Sequence, residues 1–123
     1  MDIINPATEE VIDNVQEDDV RSVEKKYEKL KGGLNSWRNT PLSNRIALID
    51  KFKECIKEEM SELADVLSQE TGKPLAQAIG ELKSTCNRIK FFVNNSEQWL
   101  APEDITTEGN MTERIVYEPF GVI

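Results

Sequence analysis

The stretch that decides the fold is residues 40–72, TPLSNRIALIDKFKECIKEEMSELADVLSQETG. Its apolar residues recur three or four positions apart, which is the spacing of one face of an α-helix. They are Ile46, Ile49, Phe52, Ile56, Met60, Leu63 and Leu67. Thr40 and Pro41 predict the helix start, with threonine as the cap and proline at the first helical position, and Gly72 predicts the end. Because the pattern is longer than a usual globular helix, we expect a break near Ser61 and two helices in tandem.

The same spacing predicts a helix upstream of this stretch. Asp18 or Asp19 can cap it, and its apolar face comprises Val20, Val23, Tyr27, Leu30, Leu34 and Trp37. Gly32 and Gly33 fall inside the pattern, and each glycine costs about 1 kcal/mol relative to alanine in a helix interior. We therefore expect this helix to end or loosen near Lys31.

A further helix is predicted downstream, where Lys73 and Pro74 open a new pattern. Its apolar positions are Leu75, Ile79, Leu82, Cys86, Ile89 and Val93, and the pattern extends towards Trp99 and Leu100. The segment at residues 101–104 contains a proline and ends it. Trp37 and Trp99 fall near the apolar faces, so we expect both to pack in the core with their indole N–H groups at its rim.

Both ends of the chain predict β-hairpins. Residues 3–15 place turn residues at Asn5 and Pro6 between two short apolar arms. Residues 105–117 contain a turn at 108–110 followed by a strand from Arg114 to Tyr117. The expected fold class is therefore α+β and mostly α, a helical layer with an N-terminal β-hairpin and a C-terminal β-hairpin arm.

Composition limits the partners. The 123 residues suffice for one domain, and the net charge of −8 argues against nucleic acid or an anionic membrane surface, both of which call for clustered Lys and Arg. No apolar run approaches the roughly 20 residues of a membrane span, and the N-terminus has no signal-type pattern. Two cysteines make no disulfide framework, so a cytoplasmic location is expected.

The residues that commonly carry chemistry are scarce or unpatterned. The chain has no histidine, which removes the commonest general base and metal ligand. Cys55 and Cys86 are expected to be buried packing residues rather than nucleophiles. The carboxylate clusters at 9–10, 17–19 and 58–59 predict a solvated face, and Gly32-Gly33 forms no phosphate-binding pattern. We assign no catalytic, cofactor-binding or metal-binding residue.

Four segments in sequence nevertheless resemble the N-terminal part of the aldehyde dehydrogenase superfamily. They are residues 4–8 with 10–12, Trp37-Arg38 with 40–42 and Arg45, residues 70–74, and residues 117–122. Their order is that of the family, and the helical patterning resembles its semialdehyde-oxidising branches, to which the succinate-semialdehyde dehydrogenases belong, although no residue here selects succinate semialdehyde over another aldehyde. Glu9 departs from the family, which usually has glycine in this turn, so the shape of the turn is in question.

The resemblance implies a parent enzyme that oxidises an aldehyde to an acid with NAD or NADP through a catalytic cysteine. In that family the catalytic groups and the nucleotide-binding elements come after the point corresponding to Ile123. The apolar, strand-prone end from Arg114 to Ile123 also suggests a chain cut short. We therefore expect an N-terminal fragment that has no activity of its own and binds no cofactor.

The resemblance also implies an organisation and two contacts. Residues 1–104 would be the hairpin and helical part of the cofactor-domain scaffold, and residues 105–123 the start of an oligomerisation arm. Homo-oligomers would then form through the strand from Ile115 to Ile123. Glu70 resembles a position that can hold a monovalent cation with the carbonyls of Ile3 and Ile4, although a helix-end carboxylate near Lys73 is the simpler interpretation. The alternative to a fragment is a non-catalytic helical interaction or oligomerisation module.

Overall fold

The computed structural model describes all 123 residues, as four helices and two hairpins. The elements in chain order are β1 (Asp2–Ile4), β2 (Val11–Asn14), α1 (Val20–Arg38), α2 (Leu42–Glu58), α3 (Met60–Thr71), α4 (Leu75–Trp99), β3 (Glu103–Glu108) and β4 (Met111–Ile115). The strands form two separate antiparallel sheets, β1 with β2 and β3 with β4. This is the α+β, mostly helical architecture predicted. None of the four helices combines the length and apolar character needed to cross a lipid bilayer.

The core lies where α4 packs against α2 and α3. Its buried apolar residues are few and mostly small: Ile56, Ala64, Ala78 and Cys86. Lys53 is buried beside them, and its ammonium group contacts the carboxylates of Asp50 and Glu54. The hydrogen bond with Asp50 is the chief cause that raises the pKa of Lys53, followed by that with Glu54. Small buried residues allow the helices to approach closely, but they bury little area.

The tandem helices of residues 40–72 are confirmed with shifted ends. The break lies at Glu59, two residues before Ser61, and Ser61 caps nothing. Thr40 is not the cap of α2, because its hydroxyl donates to the carbonyl oxygen of Ser36 at the end of α1 (2.9 Å). Pro41 occupies the cap position instead, and its carbonyl oxygen accepts from the backbone N–H groups of residues 44 and 45.

The prediction that α1 ends near Lys31 is wrong. The helix begins at Val20, after Asp19 accepts the backbone N–H of Ser22 (2.7 Å), and runs through both glycines to Arg38. Beyond the glycines, Leu34 is half-buried and lies beside residues 121–123, and Trp37 lines a groove with residues of α2 and α4. These contacts stabilise the last turns and offset the low helix propensity of glycine.

Gly33→Ala is therefore expected to raise the free energy of unfolding by about 1 kcal/mol, because it lowers the entropy of the unfolded chain and adds helix propensity. A Cβ at this position meets no heavy atom within 4 Å, so no clash opposes the gain. Urea unfolding followed by circular dichroism measures the change. Lys29→Gly, on the exposed side of the same helix, should lower stability by a similar amount. A loss of stability in Gly33→Ala would show that the helix needs glycine there.

The N-terminal hairpin is confirmed and its turn contains the departure at Glu9. The side chain of Asn5 accepts the backbone N–H of Ala7 (2.9 Å), and its carbonyl oxygen accepts that of Glu9 (2.8 Å). Glu9 has φ +64°, a left-handed conformation that glycine adopts freely and other residues adopt at a cost. The turn thus keeps a glycine-type backbone, and the glutamate carries the strain.

This hairpin packs on the end of α3. The helix ends at Gly72, as predicted, with φ +69° and its N–H donating to the carbonyl oxygen of Ser68 (2.9 Å). A Cβ built on Gly72 would lie 2.9 Å from Cγ of Pro6. The glycine is therefore required both by the backbone conformation and by the close approach of the hairpin turn.

The second hairpin is also confirmed, but its strands start earlier than predicted. The first arm begins at Glu103 rather than Ile105, and the second runs over Met111–Ile115 rather than from Arg114 to Tyr117. An ion pair across the arms accounts for part of the shift, because Arg114 donates to both carboxylate oxygens of Asp104 (2.5 and 3.2 Å) and so draws residue 104 into the ladder. This pair lowers the pKa of Asp104 and raises that of Arg114.

Candidate interaction surface

The two cysteines lie in different surroundings. Cys86 is buried in α4, as expected, with 5% of its surface exposed. Cys55 is exposed, contrary to prediction, because it is one residue from Ile56 and so about 100° away from the buried face of α2. Lys51 precedes it by four positions, and Glu58 and Glu59 follow it by three and four, so charges of both signs are its neighbours along the helix. The chain has no histidine, so neither thiol has an imidazole beside it to accept its proton.

The carboxylates at 9–10, 17–19 and 58–59 are exposed, as predicted, and the ion pairs of the surface include Glu17 and Asp18 but none of the other two clusters. Asp18 accepts from Lys26 (2.5 Å) and from the hydroxyl of Ser22 (2.7 Å), and its pKa is lowered mainly by the bond to Lys26. Lys57 binds both carboxylate oxygens of Glu54 (3.0 and 3.2 Å) and is the first cause that lowers the pKa of that residue. No group of three or more Cys, Asp or Glu side chains is arranged to hold a metal ion.

Glu70 is exposed in the last turn of α3, two residues before Gly72. Lys73, which was expected beside it, pairs instead with Glu81 one turn and a half into α4 (2.5 Å). Glu70 is thus a helix-end carboxylate, as in the simpler interpretation, and it forms no ion pair with Lys73. The idea that Glu70 shares a monovalent cation with the carbonyls of Ile3 and Ile4 stays a prediction.

The tryptophans are not core residues. Trp37 is 40% exposed and Trp99 is 43% exposed. Trp99 packs edge-on against Phe91 and Phe92, with ring centroids 5.3 and 6.3 Å away, and both phenylalanines are themselves exposed. The apolar pattern of α4 thus continues into an aromatic cluster at its last turns that the rest of the chain does not cover.

Apolar surface without a partner is the dominant feature of the molecule. The exposed apolar residues include most of the α1 face, the aromatic cluster of α4 and the segment after β4: Val20, Val23, Tyr27, Leu30, Phe91, Phe92, Trp99, Val116, Tyr117, Phe120 and Ile123. Monomeric proteins seldom leave contiguous apolar patches larger than a few hundred Å² in water. The candidate functional site is therefore an interaction surface.

Residues 116–123, which we call the tail, are the most open part of this surface. The tail leaves β4 and turns back to α1, where Glu118 pairs with Arg38 (3.3 Å) and Gly121 lies beside Leu34. Phe120 is fully exposed. No strand is paired with the tail, so its backbone is available to another strand.

The residues of this chain do not fit a dinucleotide cofactor. Such cofactors bind at the carboxyl edge of a parallel sheet, with a glycine-rich turn leading into a helix. Here the sheets are two isolated antiparallel hairpins, and Gly32 and Gly33 lie within α1. No nucleotide-binding step can be assigned to these side chains.

Comparisons with known proteins place this architecture in a family. The model of the aldehyde dehydrogenase family matches residues 1–123. A malonate-semialdehyde dehydrogenase from Pseudomonas aeruginosa is 26% identical over 122 residues, which are 99% of this chain and 24% of that protein. A probable NADP-dependent succinate-semialdehyde dehydrogenase from Synechocystis is 28% identical over 98% of this chain and 26% of its own length.

The solved structures agree with the sequence match. A glyceraldehyde-3-phosphate dehydrogenase from Methanocaldococcus jannaschii, solved with NADP, superposes with a TM-score of 0.82 at 25% identity, over 88% of this chain and 24% of that one. This chain thus spans about a quarter of the length of the relatives it matches. Since the family model matches every residue from 1 to 123, the chain belongs to the aldehyde dehydrogenase family.

Proposed function

We propose that this chain is the N-terminal scaffold of an oxidoreductase that oxidises aldehydes to carboxylic acids with NAD or NADP, and that the 123 residues alone have no such activity. The observation that carries the proposal is a family match over the whole chain that corresponds to only a quarter of each relative. The relatives named for malonate and succinate semialdehydes favour a carboxylate-bearing aldehyde as the substrate of the complete enzyme.

The chemistry of the side chains supports a scaffold role. Thiol-based aldehyde oxidation needs a thiolate that a substrate can reach and a general base beside it. Cys86 is buried, and Cys55, although exposed, has no histidine anywhere in the chain to serve as its base. The chain instead consists mainly of helices with exposed apolar faces, which is what we expect of a scaffold that packs against other parts of a larger fold. The free thiols favour a cytoplasmic setting for that enzyme.

The test is direct. The purified chain is mixed with NAD or NADP and with malonate semialdehyde, succinate semialdehyde or propanal, and the absorbance of the reduced cofactor is followed. We expect no rate above that of the blank without protein. A rate that scales with protein concentration and disappears in Cys55→Ser would overturn the scaffold proposal, because this chain would then contain its own nucleophile.

A second function, an oligomerisation module, is favoured by the tail. Its apolar side chains are exposed and its backbone has no strand partner, which is the condition for pairing between copies. In this second proposal the segment from Ile115 to Ile123, of which only Ile115 belongs to a strand in the single chain, pairs as a strand with another copy, in line with an arm role for residues 105–123. The two functions are compatible, because a scaffold can also join subunits.

Val116→Pro is expected to weaken self-association at least tenfold, since proline removes a backbone N–H from the first tail residue after β4. Sedimentation equilibrium over a range of protein concentrations measures the association constant. Val116→Thr, which keeps the N–H and the β-branched shape, is the matched control and should associate like the parent chain. A parent chain that stays monomeric at several hundred micromolar, or a proline variant that associates equally well, would contradict tail pairing.

A further inference from the structure

A small groove lies between the end of α1 and the facing sides of α2 and α4. It has a volume of about 210 Å³ and is lined by six apolar residues: Trp37, Leu42, Ile46, Ile49, Phe92 and Val93. Two polar residues, Arg45 and Ser96, complete the lining. The hydroxyl of Ser96 already donates to the carbonyl oxygen of Phe92 (2.6 Å), so among these side chains Arg45 is the charged hydrogen-bond donor available to an anionic ligand.

Arg45 has no acceptor in the chain. Its Nε atom is shielded from solvent and makes no hydrogen bond. None of the ion pairs includes Arg45. Glu118, the carboxylate that shares a neighbouring cleft with it, pairs with Arg38 instead. A half-buried guanidinium with a shielded, unbonded N–H is unfavourable, and an acceptor brought from outside would relieve it.

We propose that this groove binds a small carboxylate with an apolar body the size of one ring, such as an aromatic or branched aliphatic acid. An apolar cavity of about 150 Å³ is known to hold a benzene molecule, so the groove has room for a ring with a carboxylate at its mouth. The carboxylate binds the Nε and Nη edge of Arg45, the geometry in which arginine holds carboxylates with two parallel hydrogen bonds. Rotating the guanidinium group so that this edge faces the opening of the groove breaks no hydrogen bond at Nε, because the Nε–H group makes none.

The dimensions favour a small molecule over a peptide segment. A helix or strand that docks on a protein inserts several side chains at regular spacing along a longer groove. Here the apolar lining surrounds a space for a single ring, with one cation beside it. The chain as a whole carries a net charge of −8, so its overall electrostatic potential repels anions. The attraction of a carboxylate must therefore come from Arg45 itself.

The groove contains its own reporter, Trp37. In a Trp99→Phe background, Trp37 is the remaining tryptophan, and its fluorescence is titrated with benzoate and with benzyl alcohol. We expect saturable binding of benzoate in the millimolar range and binding of the neutral alcohol about tenfold weaker. Equal affinities for the two compounds, or no saturable change with benzoate up to 50 mM (~50 times the expected scale), would overturn the proposal.

Two variants locate the anion contact. Arg45→Met should weaken benzoate binding at least tenfold, whereas Arg88→Met, which removes an exposed cation of α4 outside the groove, should leave it unchanged. Unchanged binding in Arg45→Met, or an equal loss in both variants, would contradict the assignment. If circular dichroism shows that Arg45→Met does not fold, the comparison of benzoate with benzyl alcohol on the folded chain decides. No aldehyde or nucleotide enters the experiment, so its outcome is separate from that of the proposed function.

Discussion

Replacing Ala78 with leucine is expected to lower the free energy of unfolding by about 3 kcal/mol, the largest effect of any single change considered for this chain. Ala78 has no exposed surface and lies on α4, which packs against α2 and α3. Three additional carbon atoms have no space there, so the helices must separate or leucine must adopt a strained rotamer. Because only five residues of the chain are buried, little other packing can compensate.

Urea unfolding followed by the circular dichroism of the helices measures this loss. Ala76→Leu is the matched control, since it makes the same chemical change two residues away at an exposed position of the same helix. It should alter stability by less than about 0.5 kcal/mol. Equal stability of the Ala78→Leu and Ala76→Leu proteins would mean that α4 does not pack closely at Ala78.

Gly72→Ala is expected to lower the free energy of unfolding by about 2 kcal/mol, for two reasons that act together. The left-handed conformation at Gly72 costs an alanine about 1–2 kcal/mol. The new Cβ would also lie 2.9 Å from the ring of Pro6, which cannot rotate away as a long side chain could. Either α3 loses its last turn or the N-terminal hairpin moves off the helix.

Gly80→Ala separates these causes from the general effect of a glycine substitution. Gly80 lies inside α4, and a Cβ there meets no atom within 4 Å, so this variant should gain up to about 1 kcal/mol. The two variants should thus shift the urea midpoint in opposite directions. Hydrogen exchange of the β1 and β2 amides in Gly72→Ala would report whether the hairpin has detached. A stabilised Gly72→Ala protein would refute the hairpin contact at Pro6.

The regular elements could be predicted from the sequence because their signals are local. The spacing of apolar residues gives all four helices, and Asn5-Pro6 and Gly109 mark the two hairpin turns. Gly72 could be identified as a helix end for the same reason, since a left-handed backbone there depends on one residue. What failed depended on contacts distant in sequence. The last turns of α1 are supported by Leu34 and Trp37 against other elements, which no propensity scale contains.

The surface was harder to predict than the elements. Apolar periodicity shows which face of a helix is apolar, but not whether anything covers that face. The prediction that Trp37 and Trp99 are core residues requires other side chains to cover them, and in this chain about two fifths of each remains exposed (40% and 43%). In the sequence Arg45 stands out only as part of a family-like segment. Its missing acceptor is a property of three-dimensional packing, and no sequence pattern could reveal it.

The contrast between the two cysteines makes the chain suitable for measuring its own local opening. A thiol reagent reaches Cys55 at once, because that residue is exposed on α2, whereas Cys86 reacts only when α4 separates from its neighbours. The reaction rate of Cys86 relative to that of Cys55 therefore gives the free energy of opening at the centre of the helical layer, and no label has to be introduced. Site-specific attachment of a probe at Cys55 is likewise available in the natural sequence.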